Sequence, residues 1–243
     1  MINITTYFVL PTVGNKASTQ ADHPYHSNTM NSASSLHSLV AVGRYQETGQ
    51  DRSVLGTVWE NEVRAATAPH GEEISSVTGL HLLYPGLMVF YVEGGEDDLN
   101  DFLRLLNNLT AKEALGLTKV KVVHIIHNIK GHMLANWHWK VIDPPIRSER
   151  MEKTENKIKL IKMVLHIVLN LSKQPPLTVK KTLENLQEKM IRFIPDAAML
   201  EGVLRDTSLL DPYQYIQQVL NLRGVTLDSE LVWPVPSIMF SVN

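Results

Sequence analysis

No cysteine occurs among the 243 residues. That excludes disulfides, thiolate zinc ligands and cysteine nucleophiles, and it suits a reducing compartment such as the cytoplasm. No apolar run reaches the roughly 20 residues that a membrane-spanning helix needs. The opening segment, MINITTYFVLPTVGNK, has no basic n-region and only a short apolar run before Pro11, so no export signal is expected. Without one, the sequons at Asn3, Asn108 and Asn170 are expected to be chance matches. Charge of either sign is nearly balanced at −2, which gives no overall push toward nucleic acid or membrane. Also missing are a G-x-G-x-x-G turn, a Walker A loop, a G-x-S-x-G elbow and an H-E-x-x-H helix. The glycines of EGGEDD sit among carboxylates that would repel a phosphate.

An apolar fraction of 44% and a charged fraction of 20% are those of a globular chain. Residues 1–35, rich in Ser, Thr, Asn and His, read as a flexible tail in which Tyr7–Leu10 could dock as a short strand. The folded part is expected to begin with a strand, LHSLVAVGRY, from Leu36 to Tyr45. Asp51 then caps a helix whose Leu55, Val58, Trp59, Val63 and Ala66 recur at helical spacing, ended by Pro69 and Gly71. Strands over 77–84 and 87–93 fold back on Pro85-Gly86. The acidic Glu96, Asp97 and Asp98 open a second helix with Leu99, Phe102, Leu103, Leu106 and Leu109 on one face, closed at Gly116. A fourth strand from Lys119 and a fifth, NWHWKVI, from Asn136 to Ile142 form a final hairpin before Pro144-Pro145.

The order over 36–145 is β-α-β-β-α-β with one extra strand, a ferredoxin-like α+β arrangement with two helices on one face of a sheet. Residues 146–223 read as a helical extension and 224–243 as an extended arm. In IKLIKMVLHIVLNL, residues 158–171, only Lys159, Lys162, His166 and Asn170 form a polar stripe. A helix so apolar must be buried on more than one side, between the sheet and either the later helices or another protein. Thr178 is expected to cap a helix to Met190, Asp196 one to Arg205, and Asp211 with Pro212 one to Asn221.

Four histidines, His124, His127, His132 and His138, crowd the fourth and fifth strands and the loop between them. Imidazole is the commonest metal ligand, but strand alternation sends His124 and His127 to opposite faces, so a shared metal would require a bulge. Hydrogen-bonded or exposed histidines are the simpler expectation. Glu96, Asp97 and Asp98 could hold a cation, but a helix N-terminus already accounts for them. Residues 144–192 carry 11 Lys and Arg against five Glu. This stretch could meet acidic tails such as those of tubulin, or nucleic acid, although interleaving with Glu favours a solvated helical surface. Trp137 and Trp139 share one sheet face, where core packing is the default and an aromatic interface the alternative.

The words VTGLHLLYPGLMVFYVEG and NWHWKVI, together with the acidic-capped helix, resemble the BLUF domain, a blue-light sensor that uses FAD. The spacing of Thr78-Gly79-Leu80, Gly86, Glu93 and Gly94 carries the match, over less than half of the chain. The family's flavin contacts are a strand-one tyrosine, a third-strand glutamine and an asparagine on the first helix. Here Ala41 and Phe90 fall at the first two positions and Glu72 near the third. Ala41 and Phe90 offer no hydrogen bond to a flavin ring and Glu72 brings a charge, so the resemblance implies a kept fold without its cofactor.

VVHIIHNIKGHMLANWHWKVI and the terminal LDSELVWPVPS are similar to the testis-expressed protein 47 family, BLUF-like proteins of ciliated organisms and sperm. That resemblance implies a non-enzymatic structural or adaptor component of the motile cilium or sperm flagellum axoneme. Its expected partners are other axonemal proteins of a microtubule-associated complex, with no nucleic acid, membrane or cofactor, and a homodimer is compatible with it. Trp233 and Val235 in the arm, and Trp139, are the candidate interaction residues. The alternative is a degenerate sensor that still binds FAD or another planar ligand.

Overall fold

The computed structural model describes residues 35–47, 49, 51–68, 76–143 and 153–220. The expected tail, Glu72, and the arm with Trp233 and Val235 lie outside the described residues. A five-stranded sheet is built from β1 (Leu36–Tyr45), β2 (Thr78–Tyr84), β3 (Leu87–Gly94), β4 (Leu117–Ile129) and β5 (Trp137–Val141), in the order β4-β1-β3-β2-β5. Neighbours run antiparallel except β2 and β5, which are parallel.

The helices α1 (Arg52–Thr67) and α2 (Glu96–Ala111) cover one face. Asp51 accepts from the Ser53 N–H at the start of α1. Asp98 accepts from Gly95 N–H at 2.9 Å and from the Ser76 hydroxyl at 2.7 Å, so the acidic run serves the helix terminus. α2 ends at Ala111, short of the expected stop at Gly116, because Glu113 and Leu115 adopt positive φ in a short turn that leads directly into Leu117.

The other face is covered by α3 (Lys153–Ser172), α4 (Pro176–Glu184), α5 (Leu186–Met190) and α6 (Ala197–Leu204). Leu160, Met163, Val164, Ile167, Val168 and Leu171 of α3 share one core with Val40, Leu80, Leu82 and Tyr91 of the sheet and with Leu183, Leu186, Leu200 and Val203 of the later helices. The over-apolar helix is thus satisfied inside the chain, between sheet and later helices. Thr178 does not cap α4; Pro175 precedes it, Pro176 sits in its first turn, and Asn185 breaks the helix expected to run to Met190. Asp196 accepts from Met199 N–H at α6, and Asp211 forms a capping box with Gln214 at α7 (Pro212–Tyr215), as their spacing suggests.

The final hairpin does not form. After β4 the chain crosses the end of the sheet through residues 130–136 and lays β5 against β2 at the opposite edge. Four interstrand spacings amount to about 19 Å, which a loop of this length spans with room to bend. What holds it there is Glu93 at the end of β3, whose side chain is fully buried. Its carboxylate accepts from the Tyr91 hydroxyl (2.6 Å), the Thr78 hydroxyl (3.0 Å) and the backbone N–H groups of Met133 (2.9 Å) and Leu134 (3.1 Å). A buried carboxylate is tolerated when its lone pairs are met by donors, and these four meet them.

Candidate functional site

Strand alternation sends Leu39, Ala41, His81, Phe90, Val92, Trp137 and Trp139 to the face beneath α1 and α2. Pro85-Gly86 sets the hairpin register that places His81 opposite Phe90, and β1 pairs Ala41 with Phe90 from the other side. Phe90 is fully buried and stacks on His81 at 4.3 Å between ring centroids, with 18° between the planes. Trp59 of α1 tilts onto it at 5.1 Å and Phe102 of α2 meets it edge-on at 5.6 Å. Beside them Gly56 makes room for Trp139: a Cβ there would stand 2.5 Å from the indole ring. The Trp139 ring, half-buried, packs against α1 at the margin of this core.

The cluster is aromatic but not free of polar atoms. Among the described residues, neither ring nitrogen of His81 nor the indole N–H of Trp59 or Trp137 has a hydrogen-bond partner. Burial alone pushes the His81 pKa from 6.5 down to about 3, so the imidazole is neutral throughout the physiological range. A neutral imidazole ring stacks on Phe90 as an aromatic would.

These residues do not fit a flavin. Ala41 has no polar side-chain atom, Phe90 stands where the resemblance to the BLUF domain would put the amide that contacts the ring, and the surrounding side chains close on Phe90. Glu72, the third departure, lies outside the described residues.

The four histidines noted in the sequence are kept apart. β4 does carry bulges, where its register against β1 shifts, but they bring His127 to His37 of β1 rather than to His124. The two Nδ1 atoms of His37 and His127 are 3.1 Å apart, and Asn128 N–H points at the His37 atom from 3.4 Å. Burial and the neighbouring His127 lower the His37 pKa. His124 is lowered by burial and then by Lys157, and His138 by burial. His132 meets the Thr78 hydroxyl at 2.9 Å. Among the described residues no group of three or more His, Cys, Asp or Glu is arranged to hold a metal ion. A shallow groove of about 260 Å³ between α2, β4 and α7 is lined by Thr110, Lys119, Lys121 and Tyr213, none of them singled out in the sequence.

His81 and Glu93 are the residues that sequence reasoning undervalued. Each is a polar residue inside an otherwise apolar strand, GLHLLY or LMVFYVEG, and that interruption was the readable signal.

A family model described as testis-expressed protein 47 matches residues 35–220. Among solved structures the chain is similar to a bacterial light-regulated adenylyl cyclase, with 17% identity and a TM-score of 0.34, covering 61% of this chain and 40% of that one. It is also similar to BlrB, a BLUF protein in its dark state, with 14% identity and a TM-score of 0.35 over 63% of this chain and 98% of that one. BlsA in its photo-activated state matches at 14% identity and a TM-score of 0.34, covering 62% and 94%.

Proposed function

The chain belongs to the testis-expressed protein 47 family, and from that premise we propose that it is a non-enzymatic structural adaptor of the motile cilium or sperm flagellum axoneme. In this reading a flavin-free α+β domain serves as a protein-interaction module among other axonemal proteins of a microtubule-associated complex. The observation that carries it is the closed aromatic layer around Phe90, where a sensor would keep an open, hydrogen-bonding ligand site. Trp233 and Val235, set beside Pro234 and Pro236 in the sequence, are the residues to which this reading assigns a further contact.

Location tests this directly. Tagged protein is expected along motile cilia or flagella and to resist detergent extraction; a diffuse cytosolic signal that detergent releases refutes the reading. A second reading, a degenerate sensor that binds a planar ligand, is favoured by the orphaned nitrogens of His81, Trp59 and Trp137. A preparation with flavin absorbance after purification would establish that reading, and one that releases no chromophore on denaturation would remove it.

A further inference from the structure

α3 presents to solvent a line that its sequence disguises. Among the described residues this line holds the exposed Ile158, Lys162 and Leu169 and continues to Lys173 just past the helix, while Lys159, His166 and Asn170 of the expected polar stripe are half-buried. His166 is covered by Phe193, with ring centroids 3.5 Å apart. Ile158 and Leu169 keep 45% and 43% of their surface exposed, and beyond the Lys173 turn Leu177, in the first turn of α4, keeps 95%. An apolar side chain that exposed contributes nothing to its own fold. Ile191, after α5, is exposed at 49%.

Charge is concentrated on the same elements. Residues 144–155 balance three basic against three acidic side chains, so the excess noted in the sequence falls entirely on 156–192, which hold eight Lys and Arg against two Glu. Lys162, Lys173, Lys180, Lys181, Lys189 and Arg192 are all exposed, and none makes an ion pair with a described residue. Elsewhere the described ion pairs use Arg44, Arg52, Arg64, Arg104 and Arg205, arginines that already have carboxylate partners within the chain.

We propose that the outer face of α3, α4 and α5 is a docking surface for an acidic polypeptide segment of another protein, one with apolar side chains among its carboxylates. The proposal rests on the adaptor reading and names the chemistry of one partner. Unpaired lysines supply steering and charge complementarity, and the apolar studs at Ile158, Leu169, Leu177 and Ile191 supply the surface to be buried. Nucleic acid fits less well, because the face presents lysines and aliphatic side chains where single strands require stacking aromatics and bases require bidentate arginine. A lipid surface fits less well too, since the inner side of α3 is committed to the core.

The test is fluorescence anisotropy of the full chain with a labelled glutamate-rich peptide that carries a leucine in every turn. Binding is expected, weakening as salt rises from about 0.05 to 0.3 M. Leu177→Gln with Leu169→Gln should weaken it about tenfold, and Lys173→Glu with Lys180→Glu by at least as much, with the thermal midpoint unchanged in all variants. No binding by the wild type, or equal binding by the leucine variants, overturns the proposal. So does tighter binding to a single-stranded oligonucleotide or to phosphatidylserine vesicles. Self-association that Leu177→Gln abolishes assigns the face to a second copy and overturns it as well. Failed peptide binding with retained ciliary staining sinks this inference alone, whereas diffuse staining sinks the adaptor reading.

Discussion

Replacing His81 by leucine should flatten the acid limb of this protein's stability curve. The buried imidazole takes up a proton only near pH 3 in the folded chain, whereas in the unfolded chain it does so near 6.5. Between those values the unfolded state binds the extra proton, so stability is complete above about pH 6.5 and falls as the pH drops. The slope is about 1.4 kcal/mol per pH unit, which makes the loss between pH 7.5 and 5 about 2 kcal/mol from this group alone. His37, His124 and His138 are shifted in the same direction, but they titrate alike in wild type and variant and cancel in the difference. At pH 7.5 the variant should lie within about 1 kcal/mol of wild type, because leucine removes two nitrogens that had no partners. Urea unfolding followed by far-ultraviolet circular dichroism at both pH values checks this. With a slope of about 3 kcal/mol per molar urea, the gap between the two midpoints should change by about 0.7 M from pH 7.5 to pH 5. If both lose the same stability between pH 7.5 and 5, the imidazole is not held neutral and the account of the aromatic layer is wrong.

Glu93→Gln should cost about 1–3 kcal/mol, since the amide leaves one neutral oxygen to accept from donors that two carboxylate oxygens now share, and turns its NH2 toward the rest. A denaturation midpoint shift worth less than about 1 kcal/mol would show that the clasp is dispensable. Gly56→Ala, a change that stabilises an exposed helix by about 1 kcal/mol, should here destabilise by about 1–3 kcal/mol because the new Cβ strikes the Trp139 ring. Pairing it with Trp139→Leu should restore the wild-type melting temperature, and a stabilised single variant would mean that the ring yields freely. Trp233→Ala should reduce incorporation into axonemes, measured by detergent-resistant fluorescence, while leaving the melting temperature in place; a lowered melting temperature would make the arm part of the core.

How much of this was legible differs by element. β1, α1 and the β2–β3 hairpin could be read closely because each obeys a single local rule: alternation, a capped helical period, or a Pro-Gly turn. The placement of β5 could not, since nothing local in NWHWKVI distinguishes a hairpin with β4 from a parallel strand on β2. The deciding interaction joins Glu93 to Met133 and Leu134, groups distant in sequence, two of them backbone N–H groups that any residue supplies. The split of α4 from α5 at Asn185 was hidden for a related reason, because the segment remains helical in composition on both sides of the break. Ala41 and Phe90 were legible as lost ligand contacts from resemblance, but what replaced them was not: the stack on His81 depends on how Trp59 and Phe102 arrive from two different helices.

The crossing of residues 130–136 sets an order of assembly. β5 lies on β2 at the far edge from β4, and its loop is fastened only once the end of β3 offers its carboxylate. Non-local pairings such as β2 with β5 and β1 with β4 pay a loop-closure cost that the β2–β3 hairpin does not, and they form after it. β5 brings Trp137 and Trp139 into the layer beneath α1 and α2. Indole fluorescence should therefore lag behind the growth of sheet signal during refolding. The same strand and its loop form the segment expected to detach first when the native chain breathes.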